Sequence, residues 1–404
     1  MSLIVQKYGG SSLSNRQKIF NVADRIIEKY KQGHQLVVVA SAMGNTTDDL
    51  IAKMKSITSN PDPREADMLL TTGEQISIAL LSMAIQERGF PAISLTGSQV
   101  QIRTDNQHSK AEILEIDNSR IKKELAGPKI VIIAGFQGIN EVNDFTTLGR
   151  GGSDTTAVAL AAALEADRCE IYSDVEGIFT TDPRIVPRAR KLVEISYDEM
   201  LELANLGAKV LHPRSVELAK AFDLELYIAS SFSNKKGTIV KEVNYMEKRK
   251  NVTGVTCDCA EVKITVQKLP DKPGVAGEMF SRLAAEGLNV DMIIQNLPYE
   301  GFNDITFTIN KDDFVNCKPI IEKIAGEIAD GQVEMDEDVA KVSIVGAGMI
   351  TTPGVAAKLF ATLGNQDINI QMITTSDIKI SCLIKEAEAD RAVKVIHESF
   401  FLDQ

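Results

Sequence analysis

The sequence predicts an α/β protein: a larger domain on a mostly parallel sheet with helices on both faces, then two smaller βαββαβ modules. Three observations predict it. Residues 1–230 alternate short apolar runs with longer amphipathic ones, the pattern of strand–helix units in a parallel sheet. Some runs, such as Leu36–Ala40 and Ile130–Ala134, are almost wholly apolar, as strands buried on both faces require. Beyond residue 260 the chain repeats itself at an offset of 80 without gaps: Val262–Ile294 on Val342–Thr374 gives eleven identities in thirty-three positions.

In chain order, the first domain offers strands at Leu3–Gln6, Leu36–Ala40, Ala92–Leu95, Ile130–Ala134, Glu170–Tyr172 and Leu224–Ile228. Helical stretches lie between them at Asn15–Gln32, Glu74–Arg88 and Ser153–Ala166. From Ser230 to Lys250 the composition turns polar and charged, which marks a boundary. In each later copy a strand leads through Pro273-Gly274 or Pro353-Gly354 into a helix with apolar residues at Val275, Met279 and Leu283, or Val355, Leu359 and Leu363. The first copy has room for a last strand near Gln332–Asp336; the second has none. The unattached strand Val252–Cys257 could supply it, so the second module is expected to be discontinuous with the first inserted into it. The expected domains are 1–232, a linker over 233–250, a first module over 262–337, and a second built from 251–261 with 338–404.

Composition excludes several classes. The net charge is −12, which argues against non-specific binding to nucleic acid or anionic membrane. The longest unbroken apolar run is Ala157–Leu164, far short of a membrane span, and the N-terminus reads as a strand without a signal-peptide layout. The five cysteines form no CxxC, and reduced, mostly buried thiols in a cytoplasm fit them. Cys257-x-Cys259 has no second pair. None of the four histidines stands in an HExxH or HxE setting, so no metal site is expected.

The chemistry lies in the turns after strands. Lys7-Tyr8-Gly9-Gly10-Ser11-Ser12 follows the first strand and leads into a helix. Its glycines allow close backbone approach to an anion, and Lys7 adds a point charge. Taken alone, it is equally an ordinary glycine-rich turn. Ser41-Ala42-Met43-Gly44, Gly135-Phe136-Gln137-Gly138 and Ser173-Asp174 each follow a strand directly, and the carboxyl edge of an open parallel sheet is where ligands bind. Gly149-Arg150-Gly151-Gly152-Ser153-Asp154 runs into an alanine-rich helix; Arg150 suits a carboxylate, and Ser153 or Asp154 suits a helix cap. Thr72-Gly73-Glu74 opens an apolar helix, where an acidic first turn is favoured in any case; for Lys209 a surface lysine is the default reading. Val345-Gly346-Ala347-Gly348 fails as a dinucleotide fingerprint, because Thr351 takes the third glycine position and Pro353 follows.

Together with Phe179-Thr180-Thr181-Asp182-Pro183-Arg184, these motifs resemble the aspartate kinases of the amino-acid-kinase superfamily, in the family's order and over essentially the whole chain. The repeated modules resemble ACT domains. Ser11 stands where threonine is usual, and Thr71-Thr72 where Ser-Thr is usual; both changes keep a hydroxyl. The resemblance implies a three-layer α/β/α kinase domain. It also implies phosphorylation of the L-aspartate side chain by ATP to 4-phospho-L-aspartate, the first step toward lysine, threonine, methionine and diaminopimelate. Two anions must then meet: at 4 Å and an effective dielectric near 20, one pair of unit charges costs about 4 kcal/mol. Fixed positive groups must offset that cost, and an ionised nucleophile needs no general base.

By that resemblance, Lys7 holds the transferring phosphoryl with the N–H groups of Gly9 and Gly10 beside Tyr8, and Asp154 orients Lys7 or the substrate end. Ser41, Ala42 and Gly44 line the phosphate path. Thr47 and Glu74 hold aspartate, with Glu74 facing its ammonium, and Arg150, with Gly151, Gly152 and Ser153, clamps a substrate carboxylate. Ser173, Asp174, Phe179, Thr180, Asp182, Arg184 and Lys209 hold ATP, and Mg²⁺ travels on the nucleotide. Asp271, Gly274, Val275, Ala276, Asn289, Asp291 and Gln295 form an effector pocket for lysine or threonine in the first module, while Gln371 opposite Asp291 makes the second pocket unequal. The resemblance further implies homo-oligomers paired through the ACT domains, and internal initiation near Met246 could make a free ACT subunit. A kinase for another small carboxylate, carbamate or UMP, and a non-catalytic amino-acid sensor, are the alternatives.

Overall fold

A computed structural model describes residues 2–208, 210–243, 251–329, 332–400 and 402. The chain forms two compact units; residues 179–190, 206–208 and 247–404 make the second, and the rest the first.

The first unit is built on an eight-stranded sheet. Its order is Glu194–Ile195, Thr238–Val240, Leu226–Ser230, Arg168–Ser173, Leu3–Tyr8, Gln35–Ala40, Ile130–Ala134 and Ala92–Leu95. Every pairing is parallel except that of Leu226–Ser230 with Thr238–Val240. Strand periodicity divides the central residues. Ile4, Leu36, Val38, Ile130 and Ile132 pack beneath the helices Arg16–Lys31 and Thr72–Glu87. Val5, Val37, Val39, Val131 and Ile133 are fully buried on the other side, where the helix Gly152–Ala163 lies against the first strand.

Local chemistry fixes the helices. Arg16–Lys31 is capped by Asn15, whose side chain accepts from the Lys18 N–H, and Lys29 and Lys31 sit in its last turn, where cations suit the dipole. Its buried residues Ile19, Val22, Ala23, Ile26 and Ile27 make one stripe. Pro63–Leu70 starts with proline and is capped by Asp62. The stretch Pro63–Glu87 is apolar and long enough to cross a membrane, but half of it is buried inside this unit and it carries the buried Asp67 and Glu74.

Some sequence expectations are corrected. The last strand begins at Leu226, not Leu224. The turn expected over Gly135–Gly138 ends early, because Gln137–Ile139 is a strand. It joins an unexpected four-stranded sheet with Ile113–Ile116, Ile102–Thr104 and Phe145–Thr147. Neither Ser153 nor Asp154 caps its helix; Gly151 does, at φ +69°. Among the cysteines, Cys259 is exposed and Cys257 half-buried, unlike Cys169, Cys317 and Cys382.

The second unit is a six-stranded antiparallel sheet in the order Val290–Gln295, Phe302–Asn310, Gly254–Pro270, Val333–Val345, Lys379–Lys385 and Met372–Thr375. Its two central strands are long and serve both repeats. Gly254–Asp258 pairs with Lys341–Val345, which also pairs with Lys379–Lys385, while Glu261–Pro270 pairs with Phe302–Asn310. Val275–Ala285 and Lys311–Ala329 pack on the core of the first repeat; Val355–Gly364 and Ala389–Ser399 pack on that of the second. Gly274 and Gly354 both have φ above +90°, which accounts for the Pro-Gly at each helix start. The buried Lys341 ammonium is held by the Glu261 and Asp291 carboxylates; burial pushes it down, and the two carboxylates more than offset this and keep it charged.

Residues 179–190 also pack here. Ile185 and Val186 lie on the core of the second repeat. Thr180 is fully buried: its N–H donates to the Arg190 carbonyl, its carbonyl accepts from Val255, and its hydroxyl pairs with His397 Nε2 at 2.9 Å and accepts from the Arg190 N–H.

Candidate functional site

Register assembles the candidate site of the first unit. Tyr8 lies opposite both Ala40 and Tyr172, and Ala40 opposite Ala134, so the turns after four strands open on one sheet edge. Backbone hydrogen bonds tie the turns together: Gly9 N–H to Tyr172 O (3.1 Å), Ser41 N–H to Tyr8 O (3.1 Å), Gly44 N–H to Gly10 O (2.9 Å) and Gly135 N–H to Ala40 O (3.1 Å). A side chain at Gly10 would come within 2.6 Å of the Ala42 carbonyl, so this packing requires glycine.

Lys7 Nζ lies 2.6 Å from Asp154 Oδ1, and both side chains are about nine-tenths buried. The ammonium also stands 3.6 Å from where a Cβ on Gly9 would be. Asp154 occupies the first turn of Gly152–Ala163, where the helix dipole favours its charge. A fixed cation thus stands at the glycine-rich turn.

Glu74 is buried at the start of Thr72–Glu87, with Gly73 against Ala42. Its Oε1 accepts from the Ala42 N–H at 3.1 Å, while Oε2 has no partner among the described residues. Burial pushes its pKa up to about 8 against the pull of two backbone N–H groups, its own and that of Ala42. An arriving cation would find a buried oxygen with nothing else to bond. Thr47 stands in the first turn of Thr46–Ile57.

Arg150 is exposed on the loop before Gly151. Glycine is required at 151 on two counts: its φ is +69°, and a Cβ there would lie 2.3 Å from the His212 side chain. Burial pulls the His212 pKa down while Asp154 pulls it up, and the net lowering leaves the ring neutral at pH 7. Arg214 donates to the carbonyls of Leu148 (3.2 Å) and Ala111 (3.0 Å).

The remaining expected residues divide. Tyr8 is fully buried and stacked on Tyr172 at 5.1 Å, so only its backbone reaches the edge. The N–H groups of Gly9 and Ala42 are engaged within the fold. Ser173 O accepts from both the N–H and hydroxyl of Ser231, with Asp174 next in the chain. Phe179, Thr180, Asp182 and Arg184 belong to the second unit, where Asp182 and Arg184 pair at 2.6 Å. Lys209 and Met246 lie outside the described residues. The sequence motifs do not include Asp67, His212 and Arg214, which contact the chain on either side of Arg150. Asp67 looks like one more charged residue after Arg64 and Glu65; His212-Pro213-Arg214 stands just beyond Gly207-Ala208-Lys209, and its nearness to that motif was the only signal.

In the second unit, a pocket of about 390 Å³ opens at the Pro273-Gly274 turn. Asp271, Gly274, Val275, Ala276 and Gln295 line it, together with Asn303, whose amide donates to Asp271 Oδ1 at 2.7 Å. Asn289 and Asp291 are not among its lining residues, and Asp291 faces Lys341. Among the described residues no three His, Cys, Asp or Glu converge to hold a metal ion.

Fold and site define a class: an amino acid kinase domain followed by ACT domains. The amino acid kinase family model matches residues 2–230, and the ACT domain model matches 262–323 and 342–400. The chain belongs to the aspartokinases of that family. It is 49% identical to the aspartokinase of Bacillus sp. strain MGA3 over 402 residues, covering 100% of this chain and 98% of that one. It is 48% identical to aspartokinase 2 of Bacillus subtilis, covering 100% and 99%. The E. coli aspartokinase III structure with aspartate and ADP superposes with a TM-score of 0.85 at 26% identity, covering 99% and 100%. The form with lysine and aspartate gives 0.77, covering 99% of both chains.

Proposed function

We propose that this protein transfers the γ-phosphoryl group of MgATP to the side-chain carboxylate of L-aspartate, giving 4-phospho-L-aspartate and ADP, under control of an end-product amino acid. The observation that carries the reading is the buried Lys7–Asp154 pair at the glycine-rich sheet edge. Asp154 holds the Lys7 ammonium where charge moves from the leaving to the accepting oxygen, so stabilisation needs no rearrangement. Ser41, Ala42, Gly44 and the Gly9-Gly10 turn line the phosphate path. Glu74 takes the aspartate ammonium on its unpartnered oxygen, beside Thr47. Arg150, in the loop with Gly151, Gly152 and Ser153, clamps a carboxylate. Ser173 and Asp174 hold the nucleotide; the assignment of Phe179, Asp182, Arg184 and Lys209 rests on the resemblance alone, and Thr180 supports that segment. Mg²⁺ arrives with ATP as part of the substrate.

The pocket at Asp271 is read as the effector site. Its carboxylate suits an ammonium, and the N-terminus of Val275–Ala285 suits a carboxylate. Lysine, which occupies one of the solved relatives, and threonine are the candidate effectors. Assembly runs through the ACT domains in a cytoplasmic homo-oligomer, and internal initiation near Met246 gives a free ACT subunit as a second product. The proposed domains are 1–232, 262–337, and 251–261 with 338–404; the expected linker 233–250 is corrected in part, because Thr238–Val240 is a strand of the first unit's sheet.

The test is ADP release with L-aspartate against glutamate, acetylglutamate, carbamate and UMP, in wild type and Lys7→Ala. Aspartate alone should turn over, and Lys7→Ala should lose about a hundredfold or more in kcat with an unchanged circular dichroism spectrum. Near-normal turnover in Lys7→Ala would overturn the mechanism.

A further inference from the structure

We infer that Asp67 is a positioning residue for aspartate: it acts through the loop that carries Arg150 and touches no substrate itself. The inference rests on the reading that this loop receives aspartate. Asp67 is fully buried in the helix Pro63–Leu70, and its carboxylate gathers donors from two distant segments. Oδ2 accepts from the Thr147 N–H (3.0 Å), the Ser109 N–H (3.0 Å) and the His108 ring Nδ1 (2.9 Å); Oδ1 accepts from the Thr147 hydroxyl (2.6 Å).

Those partners determine where Arg150 stands. Thr147 ends the strand Phe145–Thr147, and only Leu148 and Gly149 separate it from Arg150. Ser109 has φ +69°, a conformation that costs a non-glycine residue free energy and needs its surroundings to hold it. Its carbonyl would lie 3.1 Å from a Cβ on Gly149, which has φ +74°, so Gly149 runs close over Ser109. Arg214 secures the neighbouring carbonyls of Leu148 and Ala111, and Ala111 N–H bonds Thr147 O at 2.9 Å. The chain entering the Arg150 loop is therefore fastened to a buried carboxylate on one side and to a guanidinium on the other. A carboxylate buried this completely is favourable only while its donors stay in place, so it resists displacement of the strand and the Ser109 turn together.

The test measures steady-state kinetics of the full-length enzyme for both substrates. Asp67→Asn keeps the shape but turns an N–H₂ toward the donors; Thr147→Val removes only the shortest bond. Asp67→Asn should raise the KM for aspartate about tenfold, with kcat and the KM for ATP within about twofold, because misplacing one clamp weakens the substrate it holds. Thr147→Val should move the same constant in the same direction by less. In an Arg150→Ala background, Asp67→Asn should add almost nothing. Thermal melting reports folding, and if Asp67→Asn does not fold, Thr147→Val alone and combined with Arg150→Ala decides the matter. An unchanged KM for aspartate, a parallel rise in both KM values, or full additivity with Arg150→Ala would each overturn the inference. If Arg150→Ala itself leaves the KM for aspartate unmoved, the reading of the loop fails first, and the two failures are told apart.

Discussion

At the site, Glu74 is a residue whose ordinary charge state at neutral pH is overturned by burial. With a pKa pushed up to about 8 by burial, it is mostly protonated in the free enzyme at pH 7. The fold favours the neutral form, so its contribution to stability is full below the ordinary carboxylate range. It is lost as pH rises from there through about 8. An aspartate ammonium on the unpartnered Oε2 would favour the charged form, so binding should expel a proton. The KM for aspartate is expected to fall between pH 6 and pH 8, and calorimetry in two buffers of different ionisation enthalpy should detect proton release at pH 7. Glu74→Gln should flatten the profile and stabilise the free enzyme above pH 8; a profile equally steep in that variant would refute the role. Lys7 and Asp154 were legible in the sequence because a lysine before two glycines and an acid opening a helix are local patterns. The fate of the Gly9 and Ala42 N–H groups was not, because their acceptors, Tyr172 and Glu74, come from elsewhere in the chain. For the same reason the Thr180 hydroxyl, expected at the nucleotide, is spent on Arg190 and His397.

Among elements, the core strands and the helix Thr72–Glu87 were legible from their apolar runs, and the helix Arg16–Lys31 from its apolar stripe. The four-stranded sheet was not, since its strands have three or four residues and too few side chains to show alternation. Yet two of its strands, Gln137–Ile139 and Phe145–Thr147, carry the chain from the sheet edge to the Arg150 loop. The loop's geometry then depends on Gly151. Gly151→Ala places a methyl into the His212 ring at φ +69°, whereas Gly33→Ala meets the same backbone penalty at φ +89° with nothing within 4 Å. Each should cost about 1 kcal/mol or more in stability from the backbone alone. Only Gly151→Ala should also impair aspartate phosphorylation, as kinetic and thermal-melting measurements on both variants would show. Equal activity in the two would mean that the His212 contact does not shape the site.

At the scale of the whole molecule, the net charge of −12 repels two of the anions the enzyme handles, ATP and aspartate, so positive groups must be concentrated where they bind. The repeated modules pose the complementary problem of an effector that carries both charges. Identical folds do not make identical sites: at the offset of 80, Asp271 corresponds to Thr351, so the second copy keeps the Pro-Gly helix start but has no carboxylate at that position. The feature suited to an effector carboxylate is present twice, and the feature suited to its ammonium once. One effector molecule per chain is therefore expected at the Asp271 pocket. Isothermal titration with lysine, and separately with threonine, should give a stoichiometry near one for the ligand that inhibits. Asp271→Ala should abolish both the heat of binding and the inhibition while leaving uninhibited turnover intact, because effector control is a coupling energy of typically about 1–3 kcal/mol laid over the basal activity. Asn303→Ala should weaken binding by a smaller factor, since it orients the Asp271 carboxylate through one hydrogen bond. Two equivalent sites per chain, or full inhibition surviving in Asp271→Ala, would show that discrimination between the copies does not reside in this carboxylate.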